Sequence, residues 1–553
     1  MSDNPTILAL GSPRFSDERL AALHRAGDTA ACWRDLGPEG IERVAGNFAV
    51  GVREPGGRSW LAVDRFGIES ICWRIVDGQL RVAARADELA DGDAQIDPQA
   101  IFDYLYFHAI PSPRTIFKDV FRLPPGHFGV FEHGQMKVAP YFVPAFQEPG
   151  NPSFDSLAVE FRQLLREAVE TQLDGSKPAC FLSGGTDSST VAGMIGEVSG
   201  QRASSYSIGF DAQGYDEMEF ARVAAKQFET DHHEYYVTPS DLVQSIGAVA
   251  SHFDQPFGNS SALPAYYCAK MARDDGVTRL LAGDGGDELF GGNTRYAKQR
   301  VFGWWDQVPR ALRTGLVEPM LERQGNSAVP LLRKAASYVE QAKVPMPDRL
   351  QMYNLILRLQ PAKVLTPALL ARIDQSAPLA QQRLVWAMAG DTSSVNRQLA
   401  FDWRFTLAES DLPKVMGATS LAGVGVGFPF LDDRLLEFSC RLPSNYKLKG
   451  LKLRWFFKEA LRGFLPDQII AKKKQGFGLP FGLWANQNAE LNALARESLQ
   501  AIAARGVVRG DFVDELLEHR LAEHPGYYGE MVWILMMLEQ WLRIKAPNFR
   551  IED

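Results

Sequence analysis

The chain has 553 residues, more than one hydrophobic core accommodates, so length alone points to roughly two to four domains. Its composition, 46% hydrophobic and 23% charged, is that of an ordinary soluble globular protein, and a net charge of −8 argues against a general nucleic-acid surface. The five cysteines (Cys32, Cys72, Cys180, Cys268 and Cys440) are scattered without a C-x-x-C pair, which predicts reduced thiols and gives no zinc or iron–sulfur pattern.

In chain order, Met1-Ser2-Asp3-Asn4-Pro5 offers no basic region followed by an apolar core, so no secretory signal is read there. Up to about residue 145, short β-like segments (47–52, 60–63, and 80–83 after Asp77-Gly78) alternate with turn signals. The stretch Glu148-Pro149-Gly150-Asn151-Pro152 reads as a linker. Beyond it, helix and strand alternate: a helix over 156–173, a strand at Cys180, a helix, and a strand over 204–208. A helix over 217–228, a strand over 234–237, a helix from Pro239 and an apolar segment over 278–281 follow. This alternation predicts an α/β fold with a doubly wound, mostly parallel sheet and ligands at the strand C-termini. From about residue 300 helical signals dominate, predicting a helical extension. The apolar run from Met531 to Leu538 is far short of a bilayer span and reads as a buried core helix. A cytoplasmic protein without membrane or nucleic-acid partners is expected.

The strongest chemical signal is Ser183-Gly184-Gly185-Thr186-Asp187-Ser188, between the apolar Ala179-Cys180-Phe181-Leu182 and a helical segment. A glycine turn from strand to helix N-terminus offers backbone N–H groups to an anion. The hydroxyls of Ser183, Thr186 and Ser188 add donors, and Asp187 is a candidate Mg²⁺ ligand. No Lys follows the glycines, so the Walker pattern is excluded. The run looks like the pyrophosphate loop of enzymes that split ATP into AMP and pyrophosphate to activate a carboxylate. A second glycine-rich turn, Gly283-Asp284-Gly285-Gly286-Asp287-Glu288, brings acids suited to metal binding (Asp287) and general-base work (Asp284) beside a nucleotide. A third, Lys474-Gln475-Gly476-Phe477, offers a cation for departing pyrophosphate.

Together these motifs resemble the asparagine synthetase superfamily. The resemblance also covers Tyr206-Ser207-Ile208-Gly209-Phe210, Asp254-Gln255-Pro256, Ser260-Ser261-Ala262-Leu263-Pro264, Pro429-Phe430-Leu431-Asp432 and Trp484, from about residue 155 to 545. It implies an ATP-pyrophosphatase domain over 155–553, with ATP and Mg²⁺ as cofactors. By that resemblance Ser183 to Ser188 hold the ATP phosphates, and Leu182, Ile208 and Gly283 line the adenine pocket. Asp187 and Asp287 bind Mg²⁺, and Lys474 binds pyrophosphate. Gly46-Asn47-Phe48-Ala49, Asp64-Arg65-Phe66-Gly67-Ile68 and Leu123-Pro124-Pro125-Gly126-His127 are similar to the family's glutaminase part. They imply a β-rich, Ntn-type sandwich over 1–145.

Departures from the pattern shape the expected function. A class-II glutaminase uses an N-terminal Cys as nucleophile, and position 2 here is Ser2, so a degenerate domain and a donor other than glutamine are expected. Met416, Gly417, Gly425 and Gly427 stand where the family carries charges. If that segment lines the acceptor pocket, the wall becomes roomier and less polar, favouring a larger carboxylate than aspartate. β-Lactam-forming relatives have a Tyr at the position of Asp284 and a Glu at that of Gly425, so their ring closure is disfavoured. The expected reaction adenylates a small-molecule or peptide carboxylate for attack by ammonia or another amine. A lasso-peptide-cyclase-like ligase and an inactive ATP-binding scaffold stay open, as does a homodimer.

Overall fold

The computed structural model of the chain describes residues 7–54, 57–90, 95–148, 150, 152–306, 308–313, 329–473 and 478–552. In its N-terminal part the strands Ile7–Gly11, Phe48–Arg53, Ser59–Val63, His127–Glu132 and Gln135–Pro140 form one antiparallel sheet in that order. Side chains alternate across it with period two. Phe48, Val50, Val52 and Trp60 pack on one face with Trp33 of the helix Thr29–Leu36. Ala49, Leu61 and Val63 pack on the other against Ile71, Leu80 and Leu123. That second face is closed by a smaller sheet of Gln79–Ala83, Cys72–Val76 and Phe121–Arg122, giving the expected β-rich sandwich.

The second half is built on a five-stranded sheet ordered Asp231–Val237, Ser204–Phe210, Ala179–Phe181, Arg279–Leu281, Gly425–Gly427, parallel throughout. Strands covered on both faces read as continuous buried runs rather than alternating ones, and every residue of Ser204–Phe210 except Ile208 is buried. The connection order reverses at Ala179–Phe181, which pairs with Ser204–Phe210 on one side and Arg279–Leu281 on the other. A crevice opens beyond the strand C-termini at such a switch point.

The segment holding Leu263-Pro264 is the helix Ala262–Asp274. One element departs from the helical extension expected beyond residue 300. The glycines of 425–427 form an edge strand, because their backbone pairs with Arg279–Leu281 whatever their side-chain pattern.

Besides these two clusters of its own, the N-terminal part shares a third core with the second half. Its helix Pro98–Phe107, capped by Asp97 through the Gln99 N–H, shares one core with the C-terminal helix Pro525–Lys545. The Tyr104 hydroxyl donates to the Ile534 carbonyl at 2.7 Å, joining positions 430 residues apart. Met531 to Leu538 are buried there, and among the described residues no helix is long and apolar enough to cross a membrane.

Candidate active site

The crevice at the switch point is a cavity of about 1080 Å³. Leu182, Ser183, Gly185, Thr186, Asp187 and Ser188 line it after the strand Ala179–Phe181, and Gly283, Asp284 and Asp287 after the strand Arg279–Leu281. Ile208 joins them from the neighbouring strand. The helix Thr186–Ser199 starts at Gly185 with no side-chain cap, so its first N–H groups face the cavity mouth, where an anion is favoured. Inside the loop Ser188 Oγ accepts from the Ser183 N–H at 3.1 Å and lies 3.0 Å from Ser183 Oγ, which fixes the turn.

Gly184, also expected to hold phosphate, packs closely against a neighbouring helix. It has φ +66°, and a Cβ there would fall 2.3 Å from the Phe220 carbonyl carbon. Glycine is needed at this position so that the loop packs on the helix Met218–Gln227.

Asp187 and Asp287 converge from the two loops on one cation, a residue the sequence reading had not singled out. Arg454 Nη1 lies 2.6 Å from Asp187 Oδ2, 2.9 Å from Asp287 Oδ1 and 2.9 Å from Thr186 Oγ1. Its Nη2 also donates to Asp187. Burial alone would lower the guanidinium's pKa, but Asp187 and Asp287 outweigh it and hold the group charged. The guanidinium also sits over the Phe457 ring, 4.2 Å from its centre. Two glycines make the space. A Cβ on Gly286 would fall 2.2 Å from Asp187 Oδ1, and one on Gly292 would fall 1.6 Å from Asp287 Oδ1.

Two carboxylates held this closely around one positive centre fit a hard divalent cation. Among the described residues no group of three or more His, Cys, Asp or Glu is set to hold a metal unaided. A site of two carboxylates leaves the remaining positions to phosphate oxygens and water.

Asp284 stands on the other side of this loop. Lys414 Nζ lies 3.4 Å from Asp284 Oδ1 and 3.0 Å from Asp411 Oδ1. Burial raises the Asp284 carboxyl above the usual range, and Lys414 opposes that rise. The Lys414 ammonium, which burial would lower, is raised by Asp411 and Asp284. Asp411 and Lys414 line the cavity together with Asn293, Thr406, Leu451, Leu453 and Trp455. Lys472 flanks the phosphate loop, its Nζ 3.2 Å from Glu217 and 3.3 Å from the Gly184 carbonyl. Lys474 lies outside the described residues.

The four positions expected to reshape the acceptor pocket do not line this cavity. Met416 and Gly417 lie on the helix Leu412–Ala422, and a Cβ on Gly417 would fall 2.3 Å from the Phe253 ring. Gly425 and Gly427 belong to the edge strand. The inference of a roomier wall from these positions is therefore withdrawn.

A parallel sheet with an uncapped helix N-terminus, paired acids and a part-buried lysine–aspartate couple at its switch point is the architecture of an α/β enzyme with its site at the strand C-termini. A profile described as asparagine synthase matches residues 160–543, and one described as a glutamine amidotransferase domain matches residues 22–142. The chain belongs to the asparagine synthase family and is an ATP-using carbon–nitrogen ligase. It is similar to asparagine synthetase [glutamine-hydrolyzing] 1 of Bacillus subtilis, 25% identical over 88% of this chain and 75% of that protein. A putative asparagine synthetase of Methanocaldococcus jannaschii is 33% identical over 39% of this chain and 42% of its own length. Amidase chyE of Penicillium rubens is 24% identical over 88% of this chain and 76% of its own length.

Proposed function

We propose that this enzyme adenylates a carboxylate and transfers the acyl group to ammonia or another amine, without using glutamine. The observation that carries the reading is the pairing of two sites in one cavity, the Asp187–Asp287 couple by the uncapped helix and the Asp284–Lys414 couple beside it. A carboxylate oxygen of the acceptor attacks the α-phosphorus of ATP, the bond to the β-phosphate breaks, and pyrophosphate leaves. The amine nitrogen then attacks the acyl carbon, AMP departs, and Asp284 takes the amine proton. Burial raises its pKa toward the range a base for this step needs, and Lys414 opposes the rise. The backbone N–H groups of 185–188 and the three hydroxyls bind phosphate, Leu182, Ile208 and Gly283 bound the adenine, and Lys474 takes pyrophosphate. Asp187 and Asp287 would hold Mg²⁺, which when bound neutralises charge on the phosphates.

Independence from glutamine is supported by the thiols. The cysteines within residues 1–145, Cys32 and Cys72, are both buried. Burial pushes the Cys32 thiol up to about 11 and Cys72 higher still, so neither is a ready thiolate. Asparagine formation from aspartate is the nearest named reaction. Leu451, Leu453 and Trp455 in the wall support carboxylates with an apolar part as further acceptors.

The test is ATP-dependent pyrophosphate release by the purified protein with Mg²⁺ and aspartate, supplied with ammonia and then with glutamine, Asp187→Ala serving as control. Turnover with ammonia alone supports the reading, and equal turnover with glutamine overturns its second half. ATP binding without turnover on aspartate or on larger carboxylates and peptides would leave a scaffold.

A further inference from the structure

The wall of the cavity that carries Asp411 is the π-helix Trp403–Asp411, and its other faces are gripped by the N-terminal domain. Wide-turned helices recur at functional sites, since the extra residue per turn re-aims side chains. Here Thr406 and Asp411 face the cavity. Phe405 stacks on Phe107 with ring centres 5.3 Å apart, and Trp403 packs edge-on against Phe66 at 6.5 Å. The Trp403 indole N–H donates to the Glu288 carbonyl, 2.8 Å away, in the second catalytic loop.

Between these contacts Glu409 is only 4% exposed, and its carboxylate accepts hydrogen bonds from Ser112, Arg122 and Arg404. The Ser112 N–H donates to it at 3.1 Å, the Ser112 hydroxyl at 2.8 Å and Arg122 Nη2 at 2.6 Å. Arg404 of the same helix also donates to it, and from its other nitrogen to Ser112 Oγ at 2.9 Å. Arg122 is itself fixed by the Ile110 carbonyl at 2.9 Å. A carboxylate shared by two guanidiniums in a buried place has few other arrangements available. It therefore locks the helix to the 110–122 edge of the sandwich.

We propose that Glu409 is a positioning residue, and that the N-terminal domain serves the reaction as a buttress. Its Ser112–Arg122 edge grips Glu409, and so fixes Thr406, Asp411 and, through Asp411, the Lys414–Asp284 couple. The inference takes the role of that couple from the reading above, but it gives the domain a task that needs no glutamine. A second cross-domain tie supplies the contrast: Arg65 pairs with Asp433 of the helix Asp433–Arg441, which has no residue in the cavity wall.

The test is hydrogen–deuterium exchange of the full chain as wild type, Arg122→Met, Arg122→Lys and Arg65→Met, with the helix Thr186–Ser199 as internal reference and Mg-ATP affinity measured alongside. Arg122→Met is expected to speed exchange over 403–411 by about tenfold while the reference helix and Mg-ATP affinity stay within about twofold. Arg122→Lys should return 403–411 most of the way to wild type, and Arg65→Met should leave it unchanged. Where Arg122→Met does not fold, Ser112→Ala reads the same segment. Exchange over 403–411 that is unmoved by Arg122→Met or Ser112→Ala overturns the proposal. Equal loosening by Arg65→Met overturns it too. No reading here requires turnover, so the buttress and the proposed reaction fail separately.

Discussion

The two halves of this molecule hold their turn aspartates in opposite ways. In the N-terminal sandwich Asp64 accepts from the backbone N–H groups of Phe66 (3.0 Å), Ile68 (3.1 Å), Glu69 (2.9 Å) and Phe48 (3.3 Å). Its carboxylate is spent on its own turn. In the catalytic half Asp187 and Asp287 meet a guanidinium delivered from far along the chain. A side chain can be exchanged for an incoming cation, whereas a ring of backbone donors cannot. The difference separates an acid that builds the fold from the two acids proposed above to hold a cation, although all three sit in turns containing glycine.

Substitution can break this contrast. The largest effect is expected from Asp287→Ala, which should lower ATP-dependent pyrophosphate release on the order of 10³-fold while circular dichroism stays that of wild type. A smaller loss would demote the paired acids to structural roles. Lys414→Met comes next, with kcat lowered about 10²-fold. Lys414 favours the ionised Asp284, so its removal lifts a carboxyl already raised by burial. The acid limb of the pH–rate profile should then move to higher pH, and a shift to lower pH would remove Asp284 as the base.

Asp64→Asn should do the reverse of Asp287→Ala. Its amide offers donors to a turn that needs an acceptor, costing about 2–4 kcal/mol in urea unfolding with the rate per folded molecule nearly unchanged. The smallest effect is expected for Cys32→Ala. With its thiol held near 11 by burial, ammonia-dependent rates should stay within about twofold of wild type.

What could be read from the sequence was what is local. The loop at 183–188 and the loop at 283–288 each follow a short apolar strand and carry their own glycines and acids, so both were visible as ligand turns. Arg454 and Lys414 were not visible as their partners, because each reaches its acid across more than a hundred residues of chain. The π-helix carries no periodicity that separates it from an α-helix, and the strand Gly425–Gly427 exists only through its neighbour. Gly184 shows the converse limit. The motif marks this glycine for phosphate, and its closeness to the helix behind it shows only in three dimensions.

The bond from Tyr104 to Ile534 has a consequence for how the protein is made. The helix Pro98–Phe107 leaves the ribosome long before the helix that covers it, and 430 residues separate the bonded pair. At about 5–20 residues per second that interval is about 20–90 s, during which the Tyr104 hydroxyl lacks its native acceptor. The core shared by the sandwich and the catalytic half is thus completed only once residue 534 and its helix have been made, and a nascent chain stalled before it should leave that core open to chaperones.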